Sequence, residues 1–353
     1  MKKLIGFYKG KKVLLTGHTG FKGTWMSEML CQLGAVVWGY ALNVDEESFY
    51  SKVCPNIQRN VSGDIRDFEY LYKNIKEFQP EIIIHLASHS SLYGSMDIPH
   101  TIISTNLMGV ENVLECARLV DTVKSVVIVT SDKVYEANGK NVLCSENYSI
   151  GATDPYGTSK VCQELLTRCY RNTFFKDTRD FNIATARASN CISIGDENGS
   201  RLFPYVLNTL GRGDLPEIRH KDSIRSWQYV MDVLYGYLLL ARNLYEADRD
   251  TVINESYNFG PNEEGMKTVG NVVSKMCNLF GIQGFVEEEG DNIISESTVL
   301  KIDSTLAERV LGWKRKVHLD DAIARIVDMT KMIYNGKNVQ DVVRQEVCDY
   351  LNN

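Results

Sequence analysis

A strand-like run, Lys12 to Thr16 (KVLLT), turns directly into Gly17-His18-Thr19-Gly20-Phe21-Lys22-Gly23 and then into a helical stretch. Few local sequences restrict a fold so tightly. Glycines between a buried strand and a helix let the backbone turn sharply and lie close to an anion, which the helix N-terminus then faces. A lone glycine triplet is weak evidence. Here a second apolar strand, Ala35 to Leu42, follows about twenty residues on, the context of a dinucleotide-binding βαβ unit.

The alternation continues. Helical stretches over Gly23 to Leu33, Phe68 to Phe78, Ile103 to Val120 and Pro155 to Phe174 separate apolar strands at Ile82 to Ala87, Ser125 to Thr130 and Ile183 to Arg187. Near-continuous apolar strands between helices predict a parallel sheet covered on both faces, an α/β fold of the doubly wound Rossmann type. Beyond Arg187 the chain is loop-rich, then helical from Trp227 to Tyr245, with a short strand at Ser256 to Gly260 and a mainly helical tail. The expected division is a nucleotide domain over 1–186 and 226–260, with a smaller substrate-binding lobe over 187–225 and 261–353.

A net charge of −6 argues against general nucleic-acid binding, which needs a basic face. No run of about twenty apolar residues could span a bilayer, and Met1 to Tyr8 does not read as a signal peptide. The nine cysteines include no C-x-x-C, and Cys31, Cys116, Cys162 and Cys277 sit in apolar runs. They are expected to be reduced core residues of a cytoplasmic protein. No His/Cys/Asp cluster has metal-ligand spacing, so no metal is expected.

The candidate chemistry lies in two segments. Asp154-Pro155 reads as a helix start, with a capping carboxylate followed by proline at the first position. Tyr156 and Lys160 then share a helical face. A free tyrosine titrates near pKa 10, and a nearby ammonium favours its phenolate, so Tyr156 is a candidate base for a hydroxyl. Thr130-Ser131-Asp132-Lys133 leaves the end of the strand before it. Ser131 is placed to hold the hydroxyl being oxidised, and Asp132 is a candidate acid. Lys133 could serve as a base only if its surroundings disfavoured the ammonium. The simpler alternative is an Asp132–Lys133 pair at a loop entrance.

The spacing G-x-x-G-x-x-G with Y-x-x-x-K is similar to the extended short-chain dehydrogenase/reductase superfamily. Within it, Thr130-Ser-Asp-Lys133, GHTGFKG and Gly39 to Leu42 (GYAL) resemble the CDP-glucose 4,6-dehydratases, NAD-dependent enzymes acting on nucleotide sugars. Ser223 to Gln228, Asn258 to Pro261 and Leu311 to Trp313 extend the resemblance over nearly the whole chain. It implies oxidation of the sugar at carbon 4, loss of water across carbons 5 and 6, and return of the hydride to carbon 6. In this reading Asp132 is the acid, and Lys133 replaces the more usual glutamate base. The cofactor would be NAD, held by Gly17, His18, Thr19, Gly20, Phe21, Lys22, Gly23, Asn43, Asp64, Ile65, Leu86, Ala87, Ser88, Asn106, Tyr156 and Lys160. Asn43 and Asp45, with no arginine beside them, suit a free ribose hydroxyl rather than a 2′-phosphate.

The resemblance assigns the substrate, a CDP-hexose, to His89, Asn190, Arg201 and Arg225. His18 and His89 would face the cofactor or sugar. A homodimer or homotetramer is implied, through the helices around 103–120 and 155–174. The chain departs from the family at His85-Leu-Ala-Ser-His89 and at Arg187 to Asp196, where a glycine run and a tryptophan are missing. In relatives these segments line the sugar and nucleotide pocket, so the alternative is a dehydratase or epimerase of the same superfamily acting on a different nucleotide sugar.

Overall fold

The computed structural model describes residues 2–90, 94–136, 142–175, 181–199, 201–248, 251, 253, 255–288 and 300–352. Seven strands pair in parallel into one sheet: β1 Lys12–Thr16, β2 Val36–Ala41, β3 Arg59–Ser62, β4 Ile82–His85, β5 Ser125–Val129, β6 Asn182–Ala188 and β7 Ser256–Phe259, in the order β7-β6-β5-β4-β1-β2-β3. The order reverses between β1 and β4, where Thr16 sits beside His85. A crevice beyond the carboxyl ends of such a pair is where doubly wound sheets bind ligands.

Helices of eight residues or more are α1 Phe21–Gln32, α2 Phe68–Phe78, α3 Pro99–Leu119, α4 Pro155–Tyr170, α5 Leu202–Gly211, α6 Val230–Glu246, α7 Val269–Phe280, α8 Leu319–Tyr334 and α9 Val339–Asn352. Alternation along each strand divides the core in two. Val13, Leu15, Ile82, Ile84, Val127 and Ala184 face α1 and α6, while Leu14, Ile83, Val126, Ile128 and Ile183 face α2 and α3. Each fully buried branched side chain of this kind contributes roughly 1.5–3 kcal/mol. The first core runs on without a break into α5, α7, α8 and α9 through Val206, Val272, Ile323 and Val343.

Several boundaries differ from the sequence-based expectations. α3 starts at Pro99 rather than Ile103, because proline suits a first helical turn. α4 ends at Tyr170 and passes into a wider helical turn, Arg171–Phe175. α6 starts at Val230, since Gln228–Tyr229 extends alongside Cys191–Ile192. β3 had no apolar pattern to announce it: of Arg59, Asn60, Val61 and Ser62 only Val61 is buried, as befits an edge strand. All nine cysteines are free, but only Cys116, Cys144 and Cys277 are buried; Cys31, Cys162 and Cys191 are half-buried and Cys54, Cys169 and Cys348 exposed, so the expectation of core residues holds for three of the nine.

Candidate active site

The glycine loop is shaped by contacts no side chain would survive. Gly17 has φ +69°, and a Cβ there would stand 2.5 Å from Ala87 N. A Cβ on Gly23 would meet Gly17 O at 2.1 Å, so loop and helix are locked together. Gly20 differs: a Cβ there would meet only Gly17 O, at 3.5 Å, an ordinary contact, which leaves its outer side free for a ligand. No side chain caps α1, so the loop and the first helical turn form a backbone cradle that fits a pyrophosphate.

Around the cradle the predicted cofactor residues divide. Thr19 and Phe21 are half-buried, and Leu86 and Ala87 follow β4 beside Gly17. Asn43 is exposed just past the end of β2. Asp64 stands at the rim, its carboxylate forked by Arg66 with Nη2 at 2.6 Å and held below the usual carboxylate range mainly by that hydrogen bond. Ile65, by contrast, packs into the core against Gly109, leaving only its backbone to offer a ligand. The ring of His18 is also turned inward. It is fully buried beside Gly39, shares a 2.8 Å hydrogen bond with Asn60 Oδ1, and is pushed down to about 4 by burial. Asn106 is committed as well: its Oδ1 accepts from Ser88 Oγ and His89 N, and its Nδ2 donates to His89 O and Ser159 Oγ. It clamps the loop after β4 to α4. His89 lies within electrostatic reach of Asp64.

β5 delivers the other cluster. Ser131 caps a short turn, Asp132–Val134, accepting Lys133 N at 3.2 Å, and its hydroxyl donates to Asp132 Oδ1 at 3.1 Å. Asp132 is buried, and burial raises it above the usual carboxylate range against the pull of Lys133, Ser131 and Lys22. The opposite wall is α4, where Asp154 Oδ1 accepts Gly157 N at 2.8 Å and Pro155 takes the first position. Tyr156 there lies within reach of the Ser131–Asp132 turn. Burial raises its phenol, Ser131 and Lys22 lower it, Asp132 raises it and Arg201 lowers it. The Lys160 ammonium lies 5.9 Å from the centre of the Tyr156 ring. It donates to Val129 O at 3.1 Å and Gln163 Oε1 at 3.0 Å, and burial lowers it to about 7, helped by repulsion from Lys22.

One group escaped the sequence reading. Glu164, one turn beyond Lys160, accepts Thr130 Oγ1 at 2.6 Å, Thr185 Oγ1 at 2.7 Å and both arms of Arg187, in an ion pair whose side chains are each 6% exposed. It fixes the residue preceding Ser131; its i+4 spacing from Lys160 was the available clue. Lys22, expected on the cofactor, instead reaches Tyr237 of α6.

The predicted substrate residues are less concentrated. Arg201 binds Asp196 at 2.7 Å and Ser90 O at 2.9 Å, near enough to Tyr156 to act on its charge. Asn190 is exposed directly after β6 and its neighbour Ser189. Arg225 lies on Ile224–Ser226, opposite Lys267 in a small antiparallel ribbon. Among the described residues no group of three His, Cys, Asp or Glu side chains converges on a metal position, and no helix is long and apolar enough to cross a membrane.

The family model for GDP-mannose 4,6 dehydratase matches residues 14–326. The CDP-glucose 4,6-dehydratase of Salmonella typhimurium is 38% identical over 351 residues, covering 98% of this chain and 97% of that protein. A probable dTDP-glucose 4,6-dehydratase of Sinorhizobium fredii is 26% identical, over 90% of this chain and 92% of its own length. Among solved structures, the epimerase Mth375 of Methanothermobacter thermautotrophicus superposes with a TM-score of 0.80 at 24% identity, covering 98% of this chain and 97% of that one. The dTDP-glucose 4,6-dehydratase of Bacillus anthracis, solved in complex with NAD, gives 0.75 at 19% identity, covering 95% and 100%.

Proposed function

The chain belongs to the GDP-mannose 4,6 dehydratase family, and from that premise we propose that it converts CDP-D-glucose to CDP-4-keto-6-deoxy-D-glucose. The observation that carries this reading is the Ser131-Asp132-Lys133 turn set against Tyr156, in a chain 38% identical to a CDP-glucose 4,6-dehydratase. Bound NAD supplies a hydride acceptor that later returns what it took, so the conversion is redox-neutral. The glycine cradle, Asn43, Leu86 and Ala87 fit that cofactor, and the absence of arginine beside Asn43 favours a free ribose hydroxyl.

In this mechanism Tyr156 takes the proton of the carbon 4 hydroxyl while Ser131 holds its oxygen. Once carbon 4 is a ketone, the hydrogen on carbon 5 is acidic. Lys133 removes that proton, and Asp132, kept protonated more readily than an exposed carboxylate, gives its proton to the departing carbon 6 hydroxyl. Water leaves. As the hydride is returned to carbon 6, carbon 5 regains a proton from the Lys133 ammonium. The two protons taken by Tyr156 and Lys133 thus match the two given by Asp132 and Lys133. Arg201 and Arg225 are suited to the substrate diphosphate, since a guanidinium matches phosphate oxygens in geometry and charge.

We further assign residues 187–225 and 261–353 to a sugar-binding lobe, with 1–186 and 226–260 as the nucleotide domain. A cytoplasmic homodimer, associating through α3 and α4, completes the proposal. Ile103, Met108 and Leu165 support it, each at least 40% exposed on those helices.

The test is incubation with CDP-glucose, and separately with dTDP-, UDP- and GDP-hexoses, in deuterated water. Loss of one water with deuterium entering at carbon 5, for CDP-glucose alone, is the expected result. Dehydration of another nucleotide sugar would keep the mechanism and replace the substrate, the reading favoured by the altered segments His85 to His89 and Arg187 to Asp196. A change of configuration with no water lost would remove Asp132 and Lys133 from their roles.

A further inference from the structure

The turn that carries Ser131, Asp132 and Lys133 is held at its two ends by the two members of one buried ion pair, Glu164 and Arg187, which meet at 2.9 Å. At the near end Thr130 Oγ1 donates to Glu164 Oε1 at 2.6 Å, and Thr130 N donates to Ala186 O at 2.9 Å, so Ser131 continues from the ladder of β5 and β6. At the far end the buried Tyr135 hydroxyl accepts from Arg187 Nη1 at 2.9 Å and donates to Asn258 Oδ1 at 2.7 Å. This end rests on a loop rather than on the sheet: Gly151 N donates to Val134 O at 2.8 Å, and Glu136 N to Ser149 O at 3.0 Å. The loop is itself fixed by the same two residues. Arg187 donates to Glu146 O at 3.1 Å, while Asn258 donates from its backbone N to Glu146 Oε1 at 2.8 Å and from Nδ2 to Cys144 O at 3.0 Å.

We propose that Tyr135 is a positioning residue for the loss of water: tied to Arg187 and Asn258, it places Asp132 and Lys133 for the elimination, whereas Thr130 and Glu164 place Ser131 for the oxidation before it. The inference rests on the dehydratase reading for the two steps, and on these hydrogen bonds for the clamp. The division follows from where each residue stands between the two anchors. Ser131 adjoins Thr130, so release of the far end leaves it held by the strand. Asp132 O accepts Tyr135 N at 3.1 Å, and Lys133 lies nearer to Tyr135 than to Thr130, so a shift of Tyr135 is passed to both. Proton transfer needs heavy atoms within about 3 Å of each other. A displacement of about 1 Å at this turn therefore harms the elimination far more than the lost hydrogen bonds alone would. Tyr135 acts only through the turn, because its hydroxyl is occupied by Arg187 and Asn258.

The variants are Tyr135→Phe, which keeps the ring and removes both bonds, and Thr130→Val, which frees the near end. Each is studied as the full NAD-loaded chain, in single turnovers of the nucleotide sugar it dehydrates. Deuterium at carbon 4 slows the oxidation and deuterium at carbon 5 the elimination, so the two isotope effects report which step limits. Tyr135→Phe should slow product formation about tenfold. It should also raise the carbon 5 effect and let reduced nicotinamide build up transiently. Thr130→Val should raise the carbon 4 effect without that build-up. A merely structural role would lower stability and leave both effects where they were. Unchanged isotope effects in Tyr135→Phe, or a raised carbon 4 effect there, overturn the proposal. If Tyr135→Phe fails to fold, a carbon 5 effect raised by Thr130→Val overturns it equally. Should no nucleotide sugar be dehydrated, the dehydratase reading fails on its own, and amide hydrogen exchange over residues 131–136 still tests the clamp. Exchange there should quicken in Tyr135→Phe, and unchanged protection sinks the proposal independently of the activity.

Discussion

His85 and His18 show how single side chains can be read from burial but not from their neighbours in sequence. Both sit at or just past the carboxyl ends of central strands, both are fully or nearly fully buried, and burial pushes them down to about 3 and about 4. Each remains neutral in the folded protein at pH values where an unfolded chain would bind a proton. Stability should therefore fall as pH drops from about 6.5 toward 4, by roughly 1.4 kcal/mol per pH unit for each histidine. Urea unfolding at pH 7, 6 and 5 should show this slope, flattened in His85→Gln; an equal slope in that variant would mean other groups carry it. At this scale the sequence announced Ser131, Asp132, Lys133 and Tyr156, because a strand end and a helix start fix their places locally. It could not show that His18, Asn106 and Lys22 also bond within the protein, to Asn60, Ser159 and Tyr237. The decisive partners of Lys22 lie far along the chain, Tyr237 being 215 residues away, and no local pattern encodes such a meeting.

Among the elements, β5, β6 and α4 are bound to one another by more than apolar contact. Glu164 of α4 takes Thr130 beyond β5, and Thr185 and Arg187 of β6, while Arg187 also donates to Tyr135 Oη at 2.9 Å. A buried pair of this kind is costly to break, because the survivor keeps its charge without a partner. Glu164→Gln should cost about 3–5 kcal/mol in denaturant unfolding, and a double variant that also replaces Arg187 by methionine should recover part of that loss. A cost within about 0.5 kcal/mol would show that the network is not needed to hold these elements. The apolar strands β1, β2, β4, β5 and β6 were legible because a parallel sheet covered on both faces demands unbroken hydrophobic runs. β3 was not, since an edge strand buries little and leaves its pattern free.

For the molecule as a whole, the exposed apolar side chains of α3 and α4 bear on assembly. If these helices meet a second copy, replacing Met108 and Leu165 together by glutamate should yield a monomer in light scattering with its circular dichroism intact. A dimer that survives both charges would place the interface elsewhere. The far end of the chain is joined to the near end in a different way. Gln32 Nε2 donates to Arg344 O, and Gln340 Nε2 reaches Val53 O and Cys54 O, so α9 lies across the nucleotide half. Tyr350 is buried and donates to Asp232 Oδ1 at 2.7 Å, the same carboxylate that receives Lys316 N and Val317 N. During synthesis, then, the dinucleotide crevice is assembled from early residues but cannot be braced until residues near 350 have left the ribosome. A chain stalled short of that point would lack these bonds and leave open to solvent the side of α1 that α9 covers.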